Sequence, residues 1–168
     1  DCDGDNDLDL VVASGSVEHP PANPAYADRL YLNNGKGYFV PAKSGSLPTN
    51  LDSSSVIATA DFDRDGDLDL FIGGRGVPGA YPTASSSRLL RNSNGKFTDV
   101  SKLFPALTEK RIVTGAIWSD ADGDGWVDLL VSTEWGPIQF LRNDKGKLVD
   151  STEESGLSPF LGWWTGIN

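Results

Sequence analysis

The sequence predicts an all-β fold, about three four-stranded antiparallel blades of a β-propeller. Three observations carry that expectation. Two short blocks recur in register three times along 168 residues. The apolar runs between them are too short for helices. Glycine and proline, at 19 and 10 residues, exceed their usual share and fall at turn positions. A chain of this length buries roughly two thirds of its unfolded surface, enough for a core that needs no disulfides.

The first block reads DCDGDNDLDLVVASG from Asp1, DFDRDGDLDLFIGGR from Asp61 and DADGDGWVDLLVSTE from Asp120, at offsets of 60 and 59 residues. The second reads RLYLNNGKGYF from Arg29, RLLRNSNGKF from Arg88 and QFLRNDKGKL from Gln139. Residues 68–72 and 129–131 are short runs of Leu, Ile, Val and Phe closed by Gly, Ser or Thr, which is a strand pattern. Leu89–Arg91 and Phe97–Val100 flank Asn92-Ser93-Asn94-Gly95, residues that tolerate positive φ, so a hairpin is expected there. Val56–Ala60 and Ile112–Trp118 supply a strand ahead of the second and third acidic segments. Each repeat thus holds four strands, the size of a propeller blade and longer than most solenoid coils.

The repeats divide as 1–60, which lacks its first strand, 61–119, which includes the first strand of the next blade, and 120–168. The last ends in WWTGIN (163–168), which matches the VTGAI strand at Val113–Ile117 without a following loop. Because the chain opens inside a motif, its natural N-terminus is expected further upstream. Propellers close with about four to eight blades, and unpaired sheet edges are a liability. The expectation is therefore either continuation in a longer chain or a head-to-tail homo-oligomer.

A net charge of −10 argues against nucleic-acid binding, which needs clustered Lys and Arg. Segments 1–9, 61–69 and 120–128 hold five, five and four of the 24 acidic residues. Carboxylates packed that closely repel one another unless a cation lies between them. Cys2 and His19 are the single residues of their kinds, so neither an internal disulfide nor a His or Cys zinc cluster can form. With one histidine, in a Pro-rich loop, there is no Ser, His, Asp set, and no catalytic residue is expected. No apolar run reaches the roughly 18 residues of a membrane span.

The spacing D-x-D-x-D-x-x-x-D puts side-chain oxygens at loop positions 1, 3, 5 and 9 around a turn at position 6, where Asn6, Gly66 and Gly125 stand. Calcium takes about six to eight oxygens in flexible geometry, whereas magnesium demands a strict octahedron and keeps its waters. Up to three calcium ions are expected, the first loop being the least secure because Asp1 is terminal. In the third loop Trp126 occupies position 7, where a backbone carbonyl suffices. An EF-hand would need Glu at position 12 and flanking helices. Position 12 is Val12, Ile72 and Val131, so the EF-hand and dockerin readings fail.

An acidic loop between two strands, repeated at blade spacing, resembles the FG-GAP and VCBS repeats of integrin α propellers and of bacterial secreted proteins. The set DGDLDL, GGR.VPG.YP, LLRN..GKFTDV and GWW is similar to VCBS-repeat proteins of the ASPIC/UnbV-associated type. The resemblance implies that position 7 contributes its carbonyl and the other odd positions their side chains. Carried over, the ligand sets are Asp1, Asp3, Asp5, Asp7 and Asp9; Asp61, Asp63, Asp65, Asp67 and Asp69; and Asp120, Asp122, Asp124, Trp126 and Asp128. The FG and GAP tripeptides are not intact, so integrin-like ligand binding is not implied.

Loops on a rigid scaffold carry recognition. Ser14–Asp28 and Arg75–Ser87 are long, Thr133–Pro137 is short, and in the resembling propellers such loops lie opposite the calcium loops. Tyr26, Arg75, Tyr81, Glu134 and Trp135 are the candidate ligand contacts. Trp163 and Trp164 are expected to pack between blades, with sugar stacking the alternative. The functional expectation is a calcium-stabilised adhesion or ligand-binding module, extracellular, cell-surface or periplasmic, with a protein or glycan ligand. A lectin-like propeller is the narrower alternative, and a propeller enzyme the remaining one.

Overall fold

The computed structural model describes residues 1–167, folded into antiparallel sheets with no helix longer than a single 3-10 turn. The first sheet has three strands in the order β1-β2-β3: β1 (Leu10–Val12), β2 (Arg29–Leu32) and β3 (Val40–Pro41). The second has four, β4 (Ser54–Ala60), β5 (Asp69–Gly74), β6 (Arg88–Arg91) and β7 (Thr98–Asp99), paired in chain order. The third repeats that order with β8 (Val113–Ser119), β9 (Asp128–Thr133), β10 (Gln139–Asn143) and β11 (Leu148–Asp150). These are the propeller blades read from the sequence, the first without an inner strand.

Strand periodicity explains why the sheets stack. In β5, Leu70 and Ile72 point to one side and join Cys2, Leu30, Leu90 and Phe97 in the seam between the first and second blades. Phe71, between them, points to the other side and joins Leu89, Phe62, Phe104, Val113, Leu129, Val131, Leu141 and Leu148 in the seam between the second and third. A strand buried on both faces reads as a near-continuous apolar run, and β5, buried at all 6 positions, carries no polar side chain after Asp69. Each fully buried Leu, Ile or Phe contributes about 1.5–3 kcal/mol.

Polar bonds fix the register of the seams. Asp28 of the first blade and Arg88 of the second form an ion pair, at 1% and 8% side-chain exposure. Asp28 also accepts from Ser14 N–H at 2.8 Å and Ser54 Oγ at 3.1 Å. The inner strand of the second blade is tied to the first by Ser54 N–H on Ser14 C=O at 3.2 Å.

Trp164 N–H reaches Thr133 C=O at 3.4 Å, the corresponding bond at the trailing edge of the third blade, two seams further on. Gly115 allows this approach, since a Cβ there would lie 2.8 Å from Ile167 N. Residues 163–167 follow the route of an inner strand, but they have no strand partner among the described residues and belong to no strand. Residue 168 of the WWTGIN match lies outside the described residues.

Candidate metal loops and the opposite face

Every acidic loop folds around its first aspartate. Asp1 accepts from Gly4 and Asn6 N–H at 2.8 and 3.0 Å, Asp61 from Asp65 and Gly66 at 3.1 Å each, and Asp120 from Gly123 and Gly125 at 2.8 and 3.0 Å. The turn needs positive φ at position 6, and Asn6, Gly66 and Gly125 supply it at 70°, 98° and 90°. The position-5 aspartates Asp5, Asp65 and Asp124 each accept the N–H of position 7, which is Asp7, Asp67 or Trp126.

The position-9 aspartates lock the loops to the sheets. Asp9 accepts from Cys2 and Asn33 N–H, Asp69 from Phe62 and Asn92, and Asp128 from Ala121 and Asn143, at 2.7–3.2 Å. Asp69 and Asp128 are fully buried. Burial pushes the Asp69 carboxyl up to about 7, against the pull of the Asn92 and Phe62 N–H groups and with added repulsion from Asp63 and Asp65.

These bonds gather carboxylates within reach of one ion. Asp61, Asp63 and Asp69 each offer an oxygen within 4.8 Å of the others, and so do Asp120, Asp122 and Asp128, and Asp1, Asp3 and Asp5. Asp9 is replaced by Asp5 in the first group, and Asp65 and Asp124 stand outside the other two. Asp7 and Asp67 sit at position 7; the Asp67 carboxylate is occupied by Asn94 N–H at 3.0 Å. The donor set fits a hard cation on two counts. The Oδ1 atoms of Asp3 and Asp63 are buried and accept no hydrogen bond, and the nearest cation to Asp63 is Arg91, 3.9 Å away and half exposed. Burial also raises the Asp63 carboxyl, with Asp65 adding to the rise.

Two features of this end escape sequence reasoning. Asn92 Nδ2 donates to Cys2 C=O, and Asn143 Nδ2 to Phe62 C=O, each at 2.8 Å, so these two hairpin asparagines clamp the acidic loop of the preceding blade. The signal was the recurrence of Asn33, Asn92 and Asn143 in the second block, which also fits a plain turn. Arg64 adopts φ 61° at a position where the other loops have Gly4 and Gly123. Its guanidinium lies 4.2 Å over the Trp126 ring and donates to Gly125 C=O, joining the second loop to the third.

The loops leaving β5 and β9 lie at the other end of those strands, and they bring three of the five candidate ligand contacts together. Tyr81 Oη donates to Glu134 at 3.1 Å and accepts from Trp135 Nε1 at 2.9 Å. The Trp163 ring stacks obliquely on Trp135 with centroids 4.7 Å apart. Trp135, Tyr81 and Trp163 are 63%, 58% and 56% exposed. Trp164 packs inward instead, its indole N–H on Gly136 C=O at 2.9 Å.

Arg75 is exposed and apart from the cluster; its backbone N–H donates to Ser53 C=O at 2.9 Å. Tyr26 is 1% exposed, and its hydroxyl both donates to His19 C=O and accepts His19 N–H. It packs the Pro-rich loop from inside and offers no surface to a ligand. Cys2 is a buried free thiol in the first seam.

Stacked antiparallel sheets, each entered through an acidic loop, define a protein of the β-propeller class with metal-capable loops. Within that class, residues 1–72 match the family model described as an FG-GAP-like repeat. The chain is similar to cartilage acidic protein 1 of Mus musculus, 31% identical over 156 residues, and of Homo sapiens, 29% identical over 158. Each match covers 87% of this chain and 22% of the relative, so the chain spans about a fifth of the curated proteins it matches. Among the described residues no helix is long and apolar enough to cross a membrane.

Proposed function

We propose that the chain is a calcium-stabilised stretch of an extracellular propeller that binds its ligand on the face opposite the metal loops, and that it is a binding module and not an enzyme. The observation that carries the calcium reading is the buried, unpartnered Oδ1 of Asp63 beside Asp61 and Asp69. An orphaned carboxylate oxygen in an acidic cluster is a costly arrangement that a divalent cation relieves. Asp61, Asp63 and Asp69, Asp120, Asp122 and Asp128, and Asp1, Asp3 and Asp5 would hold the ions, with the position-7 carbonyls of Asp7, Asp67 and Trp126 as the resemblance implies. Extracellular calcium modules bind at roughly 10⁻⁴–10⁻³ M, an affinity useful where calcium is abundant. The name of the relatives, which mentions cartilage, agrees with a place outside the cell.

Thermal unfolding with calcium and with EDTA tests this. At about 100 times Kd each filled loop adds about 2.7 kcal/mol, and each kcal/mol raises the Tm of a chain this size by about 2–4 °C. Equal melting in calcium and EDTA would defeat the reading.

For the ligand, Tyr81, Glu134, Trp135 and Trp163 are the surface to test. The polar atoms of Tyr81 and Trp135 are spent on each other and on Glu134, which leaves aromatic ring surface exposed to solvent. That arrangement favours a glycan, whose sugar rings stack on aromatic faces, as the second and narrower reading. A glycan array separates it from a protein ligand.

A further inference from the structure

The leading face of the first sheet is an unfinished version of a seam that the molecule builds twice. On the corresponding face the second blade carries Leu70, Leu90 and Phe97 and the third carries Leu129, Leu141 and Leu148, none more than 4% exposed. In the first sheet the equivalent side chains are Leu10 at 45%, Phe39 at 42% and a half-buried Tyr31.

Each completed seam also brings two polar side chains to the same place. The residue just before β2 or β6 faces the first residue of β6 or β10 in the next blade. In the first seam these are Asp28 and Arg88, a buried ion pair. In the second they are Ser87 and Gln139, which line one small cavity. The buried charge of the first seam meets a counter-charge, as expected where an unmatched buried charge is strongly disfavoured.

At the leading face this position is Arg29. Its guanidinium donates to Ser14 Oγ at 2.8 Å, and it forms no ion pair among the described residues. Asn33 tells the same story. Asn143 donates both to its own loop at Val127 C=O, 2.9 Å, and across the seam to Phe62 C=O, 2.8 Å. Asn33 donates to its own loop at Leu8 C=O, 3.1 Å, and has no cross-seam acceptor among the described residues. At the far end of the molecule, the residue in Asp28's place is Ile138.

We infer that the leading face of the first sheet receives a further antiparallel blade bearing a carboxylate at the position of Asp28, and a backbone carbonyl within reach of Asn33, and that the trailing face of a second copy of this chain is not that partner. Head-to-tail pairing of two copies would bury Arg29 against Ile138. The match of apolar faces is common to every seam; the polar couple selects among them.

Sedimentation equilibrium of the whole chain tests the choice. Ile138→Asp gives Arg29 the carboxylate it lacks, and should tighten head-to-tail self-association about tenfold or more. Adding Arg29→Ala should abolish that gain. Arg29→Ile, at an exposed site, deletes the unmatched charge and should also tighten association; it keeps the test open if an aspartate at 138 unfolds the chain. Unchanged association in both Ile138→Asp and Arg29→Ile would overturn the inference. So would a wild-type chain that already self-associates tightly through this face, shown by loss of association in Leu10→Lys and indifference to Arg29→Ala.

Discussion

The two ends of the strands differ in how much they repeat. At the acidic end, three loops of different sequence share one hydrogen-bond pattern: the position-6 N–H on the position-1 carboxylate, and the position-2 and hairpin-asparagine N–H groups on the position-9 carboxylate. At the opposite end, the Tyr81–Glu134–Trp135 cluster joins two loops of unlike length and has no counterpart in the first blade. Repetition marks what every blade must do to stack on its neighbour. The singular arrangement marks what the scaffold is free to vary, and that is where recognition is expected.

The comparison is broken most forcefully at Phe62, the loop residue that belongs to the core. It is 2% exposed, edge-on to Phe104 at 5.8 Å and stacked with Trp118 at 6.2 Å. Phe62→Ala should cost about 3–5 kcal/mol in chemical denaturation. A loss under about 1 kcal/mol would mean that the acidic loop is not tied to the second seam. Next comes Asn143→Ala, which strands the carbonyls of Phe62 and Val127 in a buried site and should cost about 1–3 kcal/mol. Because the lost contact lies on the preceding blade's loop, calcium affinity should weaken with it; unchanged affinity in titration calorimetry would separate the clamp from the ion.

Asp69 supplies the pH test. Its folded value of about 7 lies above that of an unfolded aspartate, so its contribution is fully present below about pH 4 and is lost as pH rises through about 7. In EDTA the Tm should therefore fall between about pH 4 and about pH 7. Calcium should flatten that fall, since an ion beside Asp69 favours the charged form. A calcium-free Tm that rises over the same interval would contradict the burial argument.

Much of the acidic end was legible in the sequence because its constraints are local. The D-x-D-x-D spacing, the positive φ at position 6 and the strand on either side all follow from a few consecutive residues, and Asn6, Gly66 and Gly125 do what their types allow. Strand ends were less exact: β5 and β9 each extend past the apolar run, to Gly74 and Thr133, because pairing with the inner strand continues there. What stayed hidden depends on the neighbouring blade. Nothing in the block around Asn92 says that its amide reaches Cys2, 90 residues away. Tyr26 looked like a ligand contact for a similar reason: an aromatic residue in a Pro-rich loop reads as exposed until the loop is seen to close over it. Tyr81, Glu134 and Trp135 were legible only as separate loop residues.

The smallest effect on stability should come from the residue with the largest expected effect on binding. Trp135 holds φ 59° although it is not glycine, a conformation that costs about 1–3 kcal/mol where nothing offsets it. Its ring, 63% exposed, returns part of that through one indole bond to Tyr81 and the oblique stack with Trp163. Trp135→Gly should therefore leave the unfolding free energy unchanged or raise it by up to about 1 kcal/mol, while Trp135→Ala, which keeps the strain and loses the ring, should lower it slightly. Both should lose the ligand captured by the wild-type chain on a glycan or protein array. A glycine variant that unfolds early would make Trp135 a packing residue, and one that binds normally would move recognition elsewhere on that face.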